Sequence, residues 1–217
     1  MKKYFNGFVV SISFLFFVVP FSLFAETKNI MYQETIGKET NEVQVLYRES
    51  NGISIEEYLS KKVYRTVEFD SNQTIKMEYK DGNQKTTAIV QGNKIVLINK
   101  NKESIINLRK KIWIQSFIFG FQGFILSDQN NIVFETIRPG DFKLFEMKMT
   151  KQGEEQLNLP VGNVDTIKVR VQLTGLLAHF WSAEYWYRKS DGCMVKYKGV
   201  NGPPGTPETI LFMCKEL

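Results

Sequence analysis

Histidine, cysteine and proline are scarce: the 217 residues contain one, two and six of them. A single imidazole cannot supply a zinc site, which takes several His or Cys ligands at short spacing. His179 stands in Leu177-Ala178-His179-Phe180-Trp181, with Ser182 three residues on, but the chain has no Gly-x-Ser-x-Gly elbow. A lone histidine among aromatics is read as a packed or surface residue rather than a catalytic base. Cys193 and Cys214 are too far apart in sequence for a CxxC redox pair and too few for a disulfide-stapled miniprotein. Neither a Gly-rich phosphate loop nor an EF-hand pattern occurs. The reading is therefore non-enzymatic, with a hydrolase built on His179 as the remote alternative, and with no cofactor and no metal.

Long apolar runs are also lacking beyond residue 25. Residues 1–25 differ from the rest: Lys2 and Lys3 precede an apolar stretch over residues 8–19, Pro20 breaks it, and Ala25 offers a small residue before Glu26. This is the layout of a secretory signal peptide. Leu23 at the −3 position is large for a cleavage site, which leaves the cut position open, and an uncleaved anchor is the competing reading. Cleavage leaves residues 26–217 as a single β-rich domain without an integral membrane segment, periplasmic or secreted. No cysteine lies near the cut, so a lipid anchor by that route is excluded. The formal charge falls from +5 to +3 when Lys2 and Lys3 are lost, too weak to argue for nucleic acid.

From Glu26 onward period-2 alternation dominates. Val43, Val45 and Tyr47 share one face, and Asn51-Gly52 marks a tight hairpin. Strands are predicted over residues 63–70, 74–79, 86–90 and 94–98, with turn residues between them. Residues 131–137, 143–149, 153–157, 166–174, 184–188, 194–200 and 208–214 continue the pattern. Eleven or twelve strands without a βαβ repeat predict an antiparallel meander. Residues 103–127 interrupt it: Ile105, Ile106, Leu108, Ile112, Trp113, Phe117, Phe121 and Phe124 recur mostly at spacings of one, three and four. That spacing predicts one or two helices, kinked near Gly120 and Gly123, plugging the concave side of a strongly curved sheet.

The last two strands are joined by Asn201-Gly202-Pro203-Pro204-Gly205-Thr206-Pro207. Setting Cys193 opposite Cys214 places Val195 against Phe212 and Tyr197 against Ile210, one wholly apolar face. This register predicts a Cys193–Cys214 disulfide, with two buried free thiols as the alternative. Such a bridge would contribute on the order of 3 kcal/mol.

Aromatic residues are dense in two places: Trp113, Phe117, Phe119, Phe121 and Phe124, and then Phe180, Trp181, Tyr185, Trp186 and Tyr187. They either fill the core or line a mouth for an apolar ligand, and Trp113, Phe117, Phe121, Trp181 and Trp186 are the candidate ligand-binding residues. Phe180-Trp181, Tyr185-Trp186-Tyr187-Arg188, Asp191-Gly192 and the proline loop resemble an uncharacterised family of exported bacterial proteins, over residues 113–217. The resemblance implies a half-barrel similar to the LolA and LolB lipoprotein carriers, and it carries over no catalytic residue. Two functions are expectations from here: an envelope protein that binds or carries a lipid or other hydrophobic ligand, or a structural scaffold for a protein partner.

Overall fold

The computed structural model describes residues 26–217 except 62, 72, 83, 101, 110, 111, 140 and 201–204. The export signal read in residues 1–25 lies outside them. The first half forms eight strands: β1 (Glu26–Ile36), β2 (Glu39–Ser50), β3 (Ile53–Leu59), β4 (Val63–Asp70), β5 (Gln73–Asp81), β6 (Gln84–Gln91), β7 (Lys94–Asn99) and β8 (Lys102–Asn107). The second half adds six: β9 (Asn131–Ile137), β10 (Leu144–Leu159), β11 (Gly162–Leu173), β12 (Ser182–Arg188), β13 (Met194–Val200) and β14 (Glu208–Glu216). One short helix, α1 (Gln122–Leu126), and a 3-10 turn at Gly175–His179 complete the described elements.

All strands join one 14-stranded sheet in the order β8-β7-β6-β5-β4-β3-β2-β1-β14-β13-β12-β11-β10-β9. Every described pair is antiparallel, and every neighbour but one is a sequence neighbour. The exception is β1 against β14, which welds the two halves into one ribbon. β8 and β9 are left as edges, and the chain between them, residues 108–130, turns into the concave side. The ribbon curves because both halves pack on this one segment: Tyr47 of β2 stacks on Phe119 at 4.2 Å, and Phe134 of β9 meets Phe117 at 5.8 Å.

The two ends of the curved sheet differ. The turns at Asn51-Gly52 and Gly92-Asn93, the start of β1, the end of β14 and the entry of the segment at Leu108 lie at one end, which that segment fills. At the other end, here the rim, lie the turns after β1, β3, β5, β7, β9, β11 and β13.

The helical expectation for residues 103–127 is corrected. Residues 102–107 form the edge strand β8, with Ile95 opposite Ile106 and Val96 opposite Ile105. Residues 108–121 are mostly without regular structure, and only α1 is α-helical. Spacings of one, three and four arose because this segment is surrounded by sheet, so nearly every side chain meets apolar neighbours. An apolar environment on all sides erases the period that separates helix from extended chain. Residues 153–157 are not a separate strand but continue β10, past a register shift between Lys151 and Gly153 where Gly153 takes φ +145°.

The cysteine pairing is also corrected. Tyr197 lies opposite Leu211 and Lys196 opposite Phe212, one residue away from the register that would face the two sulfurs. Cys193 and Cys214 are free thiols. Cys193 is buried, 3.8 Å from the Tyr32 hydroxyl, whereas Cys214 is half-buried beside an outer cleft. The register follows the inner face of β14, where Thr209, Leu211 and Met213 are buried. Ile210 and Phe212 on its other face are equally apolar, so alternation alone could not choose between them.

Candidate functional site

The segment inside the sheet is held largely by backbone and amide hydrogen bonds. Ile114 N–H donates to the Glu135 carbonyl and Glu135 N–H to the Ile112 carbonyl, both at 2.9 Å, a short parallel pairing with the edge of β9. On its other side Thr74 N–H donates to the Trp113 carbonyl at 2.8 Å. Gln115 is fully engaged: its Nε2 donates to the Ile137 carbonyl at 2.9 Å, and its Oε1 accepts from Trp113 Nε1 and Ile137 N–H, each at 3.0 Å. Residues 112–115 thus span the gap between β9 and β5.

The next turn is fixed by a buried carboxylate. Glu56 of β3 has no exposed surface. Its Oε2 accepts from the Ser116 hydroxyl and from Phe119 N–H, and Arg65 Nη2 donates to its Oε1 at 3.3 Å. Burial pushes the Glu56 carboxyl up, and Arg65, Ser116 and Phe119 N–H offset part of that rise. Gly120 is required just after: a Cβ there would stand 2.6 Å from the Ser116 carbonyl oxygen.

Aromatic rings form the contact between this plug and the sheet. Phe117 meets Phe121 at 5.4 Å and stacks on Tyr185 at 5.5 Å, and Phe121 packs on Phe134 at 4.9 Å. The Tyr187 hydroxyl donates to the Phe117 carbonyl at 2.8 Å. Tyr185 and Tyr187 therefore point inward.

Of the five candidate residues, Trp113, Phe117 and Phe121 come together in the plug. The other two lie elsewhere. Trp181 is half-buried near the rim, donating Nε1–H to the Val200 carbonyl at 2.6 Å. Trp186 is on the opposite face from Tyr185, between the ammonium groups of Lys168 and Lys196 at 4.9 and 4.7 Å, with Nε1–H donated to Glu155. His179 is exposed at the rim. Among the described residues, no group of three or more His, Cys, Asp or Glu side chains could hold a metal ion.

Toward the rim, the inner face of the sheet carries residues that sequence reading missed. Tyr58, Arg65 and Tyr79 lie opposite one another on β3, β4 and β5. Tyr197 packs on Tyr185 at 4.9 Å across from them, and Phe142 of the β9–β10 turn meets Tyr79 at 6.3 Å. Tyr58, Tyr79, Phe117 and Phe142 are only partly buried. The Tyr58 phenol is pushed up to about 12 by burial, helped by the nearby Glu34 carboxyl. A signal for this row existed. The two-residue Asn51-Gly52 turn sets the β2–β3 register, which puts Ser54, Glu56 and Tyr58 on the same face as Val45 and Tyr47.

Two cavities adjoin these elements. A crevice of about 200 Å³ beneath α1 is lined by Ile114, Gly120, Phe121, Phe124 and Ile132 among others. A cleft of about 770 Å³ lies where the β10–β11 turn meets the ends of β12 and β14, beside Pro160, Arg188 and Cys214. Among the described residues, no helix is long and apolar enough to cross a membrane.

No family model matches this chain, and no curated protein does. Solved structures do. The fold is similar to that of a β-barrel-like protein of domain of unknown function DUF1849 from Brucella abortus, at a TM-score of 0.63 and 8% identity, over 88% of this chain and 97% of that one. The hypothetical lipoprotein YmcC from Escherichia coli matches at a TM-score of 0.43 and 12% identity, over 87% of this chain and 84% of its own. A LolA superfamily protein, NE2245 from Nitrosomonas europaea, matches at 0.25 and 10%, over 90% and 86%. The chain thus shares the β-barrel-like fold of an uncharacterised family, with one antiparallel sheet left unclosed.

Proposed function

We propose that this protein is an exported, non-catalytic component of the bacterial envelope that binds or carries a lipid or other hydrophobic ligand inside the curved sheet. The observation that carries this reading is the rim end of the lumen, where Tyr58, Tyr79, Phe117 and Phe142 are only partly buried although they face inward. Rings left partly wet on a concave face are what an acyl chain covers, at about 0.8 kcal/mol per buried CH₂. The signal-like layout of residues 1–25 supports export. The crevice beneath α1, at about 200 Å³, is below the roughly 300–1,000 Å³ of ordinary ligand pockets. A chain of any length therefore lies against Phe117 toward the rim, or moves Trp113 and Phe121 aside with the plug. Native mass spectrometry after mild purification is expected to show a co-purified lipid, and a clean apo mass would argue against the reading.

One observation favours a second function, a scaffold for a protein partner. β8 is an edge strand with Ile105 60% exposed, a surface suited to strand addition. Capture of the same partner by wild type but not by Ile105→Lys would support it, and identical capture by both would remove it.

A further inference from the structure

Arg65 is a cation of the inner face at the rim end. Its neighbours across the ladder are Tyr58 on one side and Tyr79 on the other, and its Cζ lies 5.1 Å from the centre of the Tyr58 ring. A guanidinium carries five N–H donors in a rigid fork. Arg65 spends Nη2 on Glu56, at a long 3.3 Å. Its Nε is buried with no hydrogen-bond partner among the described residues. The side chain as a whole keeps 18% of its surface exposed.

Glu56 does not absorb this surplus of donors, because its other oxygen is taken by Ser116 and Phe119. Glu34, which lies opposite Leu211 in the β1–β14 ladder, is another carboxyl near this end. Glu34 is not among the hydrogen-bond partners of Arg65, so Glu56 is the one carboxylate that the guanidinium touches among the described residues. An under-used guanidinium among aromatic walls leaves desolvated donors unpaired, at a cost that a planar anion removes by accepting two parallel N–H bonds.

We propose that Arg65 is the headgroup anchor of the lumen, binding the carboxylate or phosphate of a long-chain amphiphile whose tail runs along Tyr58, Phe117 and Tyr185. This rests on the hydrophobic-ligand reading above and names the class of ligand. It excludes a purely neutral lipid as the best occupant.

Displacement of the neutral fluorescent probe N-phenyl-1-naphthylamine tests both layers separately. Palmitate, hexadecyl phosphate and methyl palmitate are titrated against probe-loaded full-length protein. Palmitate or hexadecyl phosphate is expected to displace the probe at about tenfold lower concentration than the ester, the size of one charge-assisted hydrogen bond. The better of the two acids identifies the headgroup. Arg65→Leu is expected to bring the acids and the ester to the same displacing concentration, and Glu34→Gln, which keeps Arg65 and removes a nearby negative charge, to widen the preference. Equal displacement by acid and ester in wild type, or a preference that survives Arg65→Leu, overturns the anchor while the lumen reading stands. Failure of the probe and of all three competitors to bind overturns both. Should Arg65→Leu not fold, as judged by its circular dichroism, the wild-type and Glu34→Gln comparisons decide alone.

Discussion

Glu56 is a carboxylate with no exposed surface, and three donors from two parts of the chain converge on it. Replacing it with Leu strands the Ser116 hydroxyl, Phe119 N–H and the Arg65 charge in a dry place. The expected loss is about 3 kcal/mol in urea denaturation, the usual scale for breaking a buried charged contact. Glu56→Gln keeps the shape and removes the titration. Because the folded carboxyl sits above its unfolded value, its contribution is full below that unfolded value and is lost as pH rises through the folded one. The melting temperature of wild type should therefore fall relative to Glu56→Gln as pH rises above the ordinary carboxylate range. Asp191 has the opposite sign. Burial alone would raise it, but hydrogen bonds from Arg188 and Lys28 outweigh burial and hold it down at about 2. Its contribution is present above the ordinary carboxylate range and disappears as pH falls through about 2. Asp191→Asn should cost about 1 kcal/mol at neutral pH and nothing in strong acid, read by urea denaturation at both.

At the scale of elements, the plug and the last hairpin carry the sharpest expectations. Gly120→Ala drives a methyl into the Ser116 carbonyl, a backbone atom that cannot swing away. A loss of about 1–3 kcal/mol should follow, with increased naphthylamine-probe fluorescence if the plug loosens. The hairpin of β13 and β14 is tested by thiol chemistry. With sulfurs on different sides of the sheet, the native protein should show one readily titrated thiol, Cys214, and the urea-unfolded protein two, without prior reduction. A single residue of register separates this outcome from a disulfide. That residue was not legible in the hairpin alone, because β14 is apolar on both faces and its register is also constrained by β1, where Tyr32 meets Met213. The plug was legible as buried and aromatic but not as irregular, since Trp113 takes its partners from Thr74 and Glu135, far away in sequence.

The whole molecule is one ribbon whose two halves meet at β1 and β14 and part at β8 and β9. Its inner face is deepest along the seam, where Ile30, Tyr32, Val43, Val45 and Met213 are fully buried. β8 has one unpaired edge and mostly exposed side chains. Hydrogen exchange followed by mass spectrometry should accordingly find the slowest amides in β1, β2 and β14 and the fastest among strands in β8. Uniform protection across the sheet would contradict the seam as the most stable part. An open ribbon also accounts for a lumen that is filled at one end and partly wet at the other. The segment linking β8 to β9 leaves and re-enters at the same end and packs there.

Most strand positions and turns were readable from the chain because alternation, Asn-Gly and Asp-Gly pairs and isolated glycines act over a few residues, within reach of the backbone itself. Eleven or twelve strands are expected against fourteen among the described residues, and the spacing across β8 predicts helix. The inward direction of Tyr185 and Tyr187 followed from the same period once one of them was placed. The closure of β1 on β14, the one-residue choice of register and the non-helical path of the plug were decided only in three dimensions. So was the meeting of Arg65 with Tyr58, Tyr79 and Glu56. Each depends on which apolar face finds which partner among residues tens to more than a hundred positions apart. Local sequence constrains that choice weakly, because several pairings bury similar apolar surface and differ mainly in which polar groups end up satisfied.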